Sequence, residues 1–370
     1  SRKIFQRSPI FYTWCCMMAF MVAGVFVSQM MLLLCPIWND IADNCGYDKK
    51  KDNFRYFGCG GILLSLSLGG GLLAYRGWKL GLANQWAELV GEPFNLGFQL
   101  VVNLILSIIV ITVYVIFGSK VFKIDYSKMQ YFDVEKMDEE SKHLRPRVKR
   151  MLIPYGLAIA LAIFTTVPGI SDTAFFDFIG STITVGGLYT LCAVLLMVIP
   201  SGEHDGEPCL PFKKITKAIV NWPTLMMCAV TIPVATALTS GGTGVLPWVN
   251  SIFAPLFEGR SAVIVVIFAV IVMQFLTNIG SNIAFGAAMI SIVGPFAVQS
   301  GLNLTVVGTA VIFCANLGLV LPGASAPAAQ YHSMPFLPDG GKRIRVTLFM
   351  VACFTICAIL IYSPVAILFK

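Results

Sequence analysis

The apolar run from Met273 to Pro295 restricts the possible folds of this chain most. Five polar or small residues nevertheless occupy its centre, namely Thr277, Asn278, Gly280, Ser281 and Asn282. In hydrocarbon an unpaired polar group costs several kcal/mol, and backbone can leave a helix only where protein or a water-filled cavity surrounds it. We therefore predict a re-entrant hairpin here, with Gly280-Ser281-Asn282 as the tip that faces a binding site.

The rest of the chain has the composition of a membrane protein. Hydrophobic residues make up 57% and charged residues 12%, whereas soluble domains carry roughly 25% charged residues. These values predict an all-α polytopic membrane protein with about ten membrane segments. The net charge of +7 lies in loops without interleaved aromatic residues, so we expect no nucleic-acid partner. The cysteines are scattered without a CxxC pair, so we expect neither a disulfide framework nor a metal site or resident cofactor.

Basic residues on both sides of the first apolar segment indicate a second hairpin. Arg2, Lys3 and Arg7 precede residues 10–38, and a cluster that begins at Lys49 follows them. By the positive-inside rule both flanks belong in the cytoplasm, which a single span cannot satisfy. We predict a hairpin over 10–38 with its tip near Ser28 and Gln29. A single long, tilted helix with a polar kink is the alternative.

Helix-breaking residues interrupt two later segments. The segment 57–93 contains three consecutive glycines, 69–71, and the segment 302–336 contains the run LPGASAPAA from Leu321 to Ala329. Proline removes a helix donor, and each glycine destabilises a helix by about 1 kcal/mol relative to alanine. Both segments are therefore predicted to be discontinuous helices, although the glycines could instead permit close helix packing.

Two hairpins, each followed by an interrupted helix, form a predicted inverted repeat. This architecture is typical of secondary transporters, in which helix N-termini face anions near the midplane and freed carbonyls bind Na⁺. The predicted order is a first repeat over 1–119 (hairpin 10–38, broken helix 57–93, span 95–117), a cytoplasmic loop over 120–150, scaffold spans over 151–260, and a second repeat over 261–370 (hairpin 264–298, broken helix 302–336, final span 346–369).

The second half resembles the divalent anion:sodium symporters, the dicarboxylate and sulfate permeases of the ion-transporter superfamily. That family carries a Ser-Asn-Thr signature in its hairpins, and this chain has Ser281-Asn282-Ile283. The family pattern Leu-Pro-x-Ala-Thr-Pro-Pro-Asn corresponds here to the run from Leu321 to Ala328. The resemblance implies elevator-type transport of a dicarboxylate, tricarboxylate or sulfate with Na⁺ as the coupling ion. It also implies a homodimer in the plasma (inner) membrane and the absence of the family's first scaffold spans.

The resemblance implies roles for particular residues. Ser281 and Asn282 retain groups that can donate to an anion, whereas Met30 and Ile283 stand where the family has threonine and cannot donate. The implied substrate contacts are Ser28, Gln29, Ser281, Asn282, Ile283, Ser325, Ala326 and Pro327. The implied cation contacts are Gly70, Gly71, Asn278, Asn316, Gly318 and Ala324.

Arg76 and Lys79 suggest a further hypothesis. Both follow the glycine run, close to where the resemblance would place the first sodium site. Either could act as a fixed cation, so that transport would need less Na⁺ or proceed as exchange. The alternative is that both side chains snorkel to the membrane interface at a helix end.

Other functions fit the sequence less well. The chain could be another carrier of the superfamily, for citrate–metal complexes, arsenite or cations. A cation antiporter needs acidic residues at the midplane, and neither hairpin contains one. An enzyme would need a nucleophile with a base or paired acids, whereas the three histidines are scattered. We therefore do not expect an enzyme.

Overall fold

The larger of two compact units contains the residues of both predicted repeats. The units are Ser1–Phe132 with Pro223–Lys370, and Asp133–Trp222. The described residues form helices and turns, apart from an isolated bridge between Pro200 and Pro208, so the all-α prediction is confirmed for them. The computed structural model describes residues 8–26, 30–49, 51–72, 78–91, 94–131, 146–164, 173–203, 205–218, 261–299 and 303–368, with single positions between 244 and 255.

Five helices form the first part of the larger unit. Helices α1 and α2 both pack against α3, which is buried along almost its whole length. Helix α5 begins after Asn95, whose side chain accepts a hydrogen bond from the backbone N–H of Phe98. Ser28 and Gln29, the predicted hairpin tip, lie outside the described residues. The bounds are Pro9–Phe26 (α1), Met31–Asn44 (α2), Phe54–Gly71 (α3), Trp78–Val90 (α4) and Leu96–Val121 (α5).

The smaller unit contains α6 to α9. Helix α6 packs against α8, and Arg147 at the start of α6 pairs with the carboxylates of Glu203, Asp205 and Glu207. The three carboxylates lie in a polar turn, where Glu207 also pairs with the Lys214 ammonium. The bounds are Pro146–Phe164 (α6), Ala174–Phe178 (α7), a π-helical turn Ile179–Ile183, Thr184–Val198 (α8) and Phe212–Ala218 (α9).

Between residues 261 and 368, the described part of the larger unit contains five further helices. Helices α10 and α11 pack against each other, and both contact α12. Helix α14 packs against α3, α5, α10 and α12, so it joins the two ends of the chain in one core. The bounds are Ala262–Ile279 (α10), Asn282–Gln299 (α11), Leu304–Ala315 (α12), Ala326–His332 (α13) and Gly340–Leu368 (α14).

Close packing between α1 and α3 explains why the first residue of the run 69–71 is a glycine. A methyl group added at Gly69 in α3 would overlap the Met21 carbonyl oxygen in α1. One added at Gly24 in α1 would lie 2.6 Å from the Leu66 carbonyl oxygen in α3. Small residues let helix backbones approach in this way in membranes. Helix α3 then ends at Gly71, so the glycines coincide with both a close contact and a helix end.

Two described helices are long and apolar enough to cross a membrane, Gly97–Val121 and Gly340–Leu368. Their surfaces include large exposed apolar side chains, such as Val101 and Leu360. One face of α5 is different, because Gln99, Asn103 and Ser107 are fully buried there. The Asn103 amide oxygen accepts a hydrogen bond of 2.6 Å from the Tyr362 hydroxyl in α14. The spacing of four residues places this polar stripe on the inward face of the helix.

Candidate functional site

Three side chains near the end of α10 donate to the end of α12. The last carbonyls of a helix have no partner within it, so they need donors from elsewhere. Positions 274, 277 and 278 lie on one face of α10, since residues three and four apart are neighbours on a helix. All three side chains are buried. The bonds run from Gln274 to the carbonyl of Cys314 (2.9 Å), from Thr277 to that of Ala315 (2.9 Å) and from Asn278 to that of Leu317 (3.2 Å).

Asn278 also holds the segment that follows α12. Its side-chain oxygen accepts hydrogen bonds from the backbone N–H groups of Leu319 (2.7 Å) and Val320 (2.9 Å). The same amide therefore bonds a carbonyl and two N–H groups of backbone that has left the helix. This arrangement satisfies polar groups that would otherwise be buried without partners.

Ser325 stabilises the other end of the non-helical segment between α12 and α13. Its hydroxyl donates to the Gly318 carbonyl (2.6 Å) and accepts from the Ala328 N–H (3.2 Å), which caps α13. A methyl group added at Gly318 would lie 2.6 Å from the Thr277 carbonyl oxygen and 3.3 Å from that of Ala324. The structure thus brings together Asn278, Gly318 and Ala324, three of the residues predicted to bind a cation.

A second cluster lies at the end of α3. The Asn316 amide donates to the Ser67 carbonyl at 2.5 Å, and a methyl group added at Gly71 would lie 3.0 Å from the same amide nitrogen. The Lys79 ammonium donates to the Gly70 carbonyl. Gly70, Gly71 and Asn316, the other three predicted cation contacts, therefore lie at the end of α3, where Gly70 contacts Lys79. The Asn316 bond joins the end of α3 to the end of α12.

Lys79 is buried at the start of α4. Its side chain is only 8% exposed, and its ammonium lies 5.8 Å from the centre of the Trp78 ring. A snorkelling lysine would instead extend its charged end into solvent. Arg76, the other candidate for a fixed cation, lies outside the described residues.

The hairpin tip is a short extended turn between two helices. Helix α10 ends at Ile279, Gly280 is extended, and α11 begins at Asn282. The Ser281 hydroxyl accepts a weak hydrogen bond of 3.4 Å from the Ala284 N–H, as an N-cap residue does. The first N–H groups of such a helix lack intrahelical partners and favour an anion.

The substrate signature lies at this helix start. Ser281, Asn282 and Ile283 are all half-buried. The Asn282 amide carries two N–H donors at this helix start. Ala326 and Pro327, also predicted substrate contacts, are half-buried at the start of α13.

Helices α4 and α11 run parallel, which brings Lys79 to the level of the hairpin tip. Leu82 contacts Gly286, Gln85 donates to the Ala287 carbonyl (3.0 Å) and the Ser291 hydroxyl (3.2 Å), and Leu89 contacts Gly294. Residue numbers rise together along both helices, so their N-termini lie at the same end. One turn before the contact between Leu82 and Gly286, position 79 is level with positions 282 and 283.

Sequence reasoning missed several residues of this site. Gln274 and Ser67 contribute directly to the two clusters, and Thr277 has a specific partner. The spacing of Gln274, Thr277 and Asn278 was an available signal, because it defines one polar face of an otherwise apolar helix. Which carbonyl each donor meets depends on contacts with α12, about forty residues away in the chain.

The cluster at the end of α12 offers neutral oxygen atoms, whereas the cluster at the end of α3 also holds the Lys79 ammonium. In the described part of the chain, no group of three or more His, Cys, Asp or Glu residues could hold a metal ion. Backbone carbonyls, hydroxyls and amides are suited to hard cations such as Na⁺. The available donor set thus fits a weakly held coupling ion better than a tightly bound transition metal.

A family model for the sodium:sulfate symporter transmembrane region matches residues 83–368. The chain belongs to the sodium:sulfate symporter family. The match contains the hairpin tip, α12 and Ser325, whereas α3 and Lys79 precede it. Membership confirms the suspected resemblance: this is an integral membrane protein of a transporter family in which sodium is the coupling ion. No curated protein matches the chain.

Proposed function

We propose that this family member is a secondary active transporter that moves a small organic or inorganic anion across the membrane by alternating access. The observation that carries the proposal is the start of α11, where the half-buried Ser281 and Asn282 lie beside backbone N–H groups that have no carbonyl partner within the helix. A dicarboxylate, tricarboxylate or sulfate is the substrate class that these donors suit. An elevator-type movement of the hairpin region is the expected mode of access.

Ser281 and Asn282 are the proposed main anion contacts. A hydroxyl and an amide both donate to oxygen atoms, and the partial positive charge of the α11 N-terminus adds to their effect. Ile283 has no side-chain donor, so it would contribute only to the shape of the anion site. Ser325 already bonds the Gly318 carbonyl and the Ala328 N–H, which supports a role in positioning the interruption beside Ala326 and Pro327.

Asn278, Gly318 and Ala324 are the proposed surroundings of a coupling Na⁺. A carbonyl oxygen has two lone pairs, so one that accepts a hydrogen bond can still contact a cation. The C-terminal end of α12 carries a partial negative charge that favours a cation there. An anion at the start of α11 and a cation at the end of α12 would each stabilise binding of the other.

The proposed architecture is the inverted repeat over 1–119 and 261–370, with re-entrant hairpins over 10–38 and 264–298. Its support is that α10 ends at Ile279 and α11 begins at Asn282, so two helices meet at the predicted tip of the second hairpin. Ser28 and Gln29, the substrate contacts proposed for the first repeat, lie outside the described residues. A homodimer in the plasma (inner) membrane is the proposed assembly.

Counterflow in proteoliposomes tests the function. We expect the wild type to exchange at least one of succinate, citrate and sulfate, and not to exchange a neutral sugar. Loss of a hydrogen bond to a charged group should weaken anion affinity roughly tenfold in Ser281→Ala and in Asn282→Ala. Ser333→Ala, at an exposed serine after α13, is the matched control and should match the wild type. Absence of exchange for every anion would refute the proposal.

A further inference from the structure

We propose that the Lys79 ammonium is a tethered cation that takes the place of one coupling sodium ion at the C-terminal end of α3. The inference rests on the proposed anion transport and goes beyond it by assigning how charge is supplied. Transport would then need fewer sodium ions than two symmetrical sodium sites would bind.

The first support is the position of the ammonium on a helix end. Lys79 donates to the Gly70 carbonyl, in the last turn of α3. The final carbonyls of a helix lack intrahelical donors and carry the negative end of its dipole, so this is where a bound cation is favoured. The ammonium contacts an oxygen atom that a sodium ion would otherwise be able to contact.

The second support is burial. At 8% exposure the Lys79 side chain is enclosed by protein, and a charge in such a place is costly unless polar groups surround it. The Gly70 carbonyl and the face of Trp78 supply favourable contacts. Unlike a sodium ion, a tethered ammonium does not leave its position when the surrounding sodium concentration falls.

The third support is the charge of the neighbouring chain. The sequence contains no Asp or Glu between Asp52 and Glu88, and none between Glu258 and Asp339. These two segments contain the C-terminal ends of α3 and α12 and the hairpin tip. They therefore add no carboxylate that would compete with an anionic substrate.

The fourth support is the parallel packing of α4 and α11. Gln85 bonds Ala287 and Ser291, and Leu82 contacts Gly286, which places the start of α4 level with the start of α11. Packed helix axes lie about 8–10 Å apart. At that spacing, in a low dielectric, a fixed positive charge would favour an anion at Ser281 and Asn282.

Sodium-dependent thermal stability tests the inference without requiring transport. The purified full chain would be unfolded in detergent with a thiol-reactive dye, because most of the described cysteines are buried and react only on unfolding. Each protein would be compared in sodium chloride and in choline chloride at equal ionic strength. The variants are Lys79→Met, Lys79→Gln, Lys79→Arg and Lys342→Met. Lys342 is the matched control, since its ammonium also donates to a backbone carbonyl, that of Lys51 at 3.2 Å.

Removing the charge should open the end of α3 to sodium. We expect the sodium-specific rise in Tm to be larger by roughly 2 °C in Lys79→Met and Lys79→Gln than in the wild type, because a ligand that binds only the folded state stabilises it. Lys79→Gln keeps a donor for the Gly70 carbonyl and so guards against a loss of folding in Lys79→Met. Lys79→Arg and Lys342→Met should behave as the wild type.

An equal sodium response in the wild type and both neutral variants would overturn the inference. A second measurement is the sodium dependence of sulfate, succinate and citrate uptake, which should become steeper in Lys79→Gln. If the wild type moved none of the three anions, the proposed function would fail, whereas the thermal comparison would still decide whether Lys79 occupies a sodium position.

Discussion

The C-terminal ends of α3 and α12 both need hydrogen-bond donors, but they obtain them from different chemical groups. Each helix stops inside the core of the larger unit, so its last carbonyls need donors. At α12 the donors are the neutral groups of Gln274, Thr277 and Asn278. At α3 the donors are the Asn316 amide and the Lys79 ammonium.

The difference lies in the charge that each end retains. Neutral donors at α12 add no charge to the partial negative charge of that helix end. Lys79 brings a full positive charge to α3 from within the chain. The family match covers residues 83–368, so α3 and Lys79 lie before the matched part of the chain.

The largest expected effect concerns two glycines at close backbone contacts, Gly69 and Gly318. Gly69→Ala should abolish folding or cost about 3 kcal/mol or more, because the added methyl group overlaps a backbone oxygen that cannot move away. Gly318→Ala should also destabilise the fold, since its methyl group would lie 2.6 Å from the Thr277 carbonyl oxygen. The measurements are monodisperse yield and Tm in detergent.

Gly323→Ala is the control for both glycines. It lies in the interruption after α12, where an added methyl group meets nothing within 4 Å. This variant should retain the wild-type Tm. If Gly69→Ala did so as well, the close approach of α1 and α3 would be wrong.

The next effect compares two asparagines. Asn278→Ala should lower the free energy of unfolding by roughly 3 kcal/mol, because the buried N–H groups of Leu319 and Val320 lose their acceptor. Asn316→Ala removes one donor to the Ser67 carbonyl and should cost about 1 kcal/mol. Denaturant titration of both variants measures the difference. Equal losses would mean that the two helix ends depend on their amides to the same degree.

Thr277→Val should have an effect as small as that of Asn316→Ala. It keeps the shape of the side chain but removes the donor to the Ala315 carbonyl, at an expected cost of about 1 kcal/mol in the free energy of unfolding. Thr277→Ser retains the hydroxyl and is the control. A loss of the same size in Thr277→Ser would indicate that the methyl group, not the hydrogen bond, stabilises this position.

Sequence reasoning located the interruptions but could not choose between the meanings of Lys79. Burial, a backbone contact and snorkelling are all compatible with a lysine after a glycine run. The choice depends on whether other helices enclose the side chain, and that follows from contacts of α4 with residues about 200 positions away. The polar stripe of Gln99, Asn103 and Ser107 was missed for a related reason, because its span is strongly apolar on average.

The local amino-acid composition was sufficient to predict the features that burial in hydrocarbon instead of water requires. Apolar runs predict helices, since only helices satisfy every backbone group within one segment. Glycine, proline and clustered amides mark where those helices stop, as they do at Gly280-Ser281 and before Ser325. The pairing of donors with carbonyls was decided by tertiary structure alone. Asn278 meets Leu319, Asn316 meets Ser67 and Lys79 meets Gly70 only because separate helix ends pack together in one core.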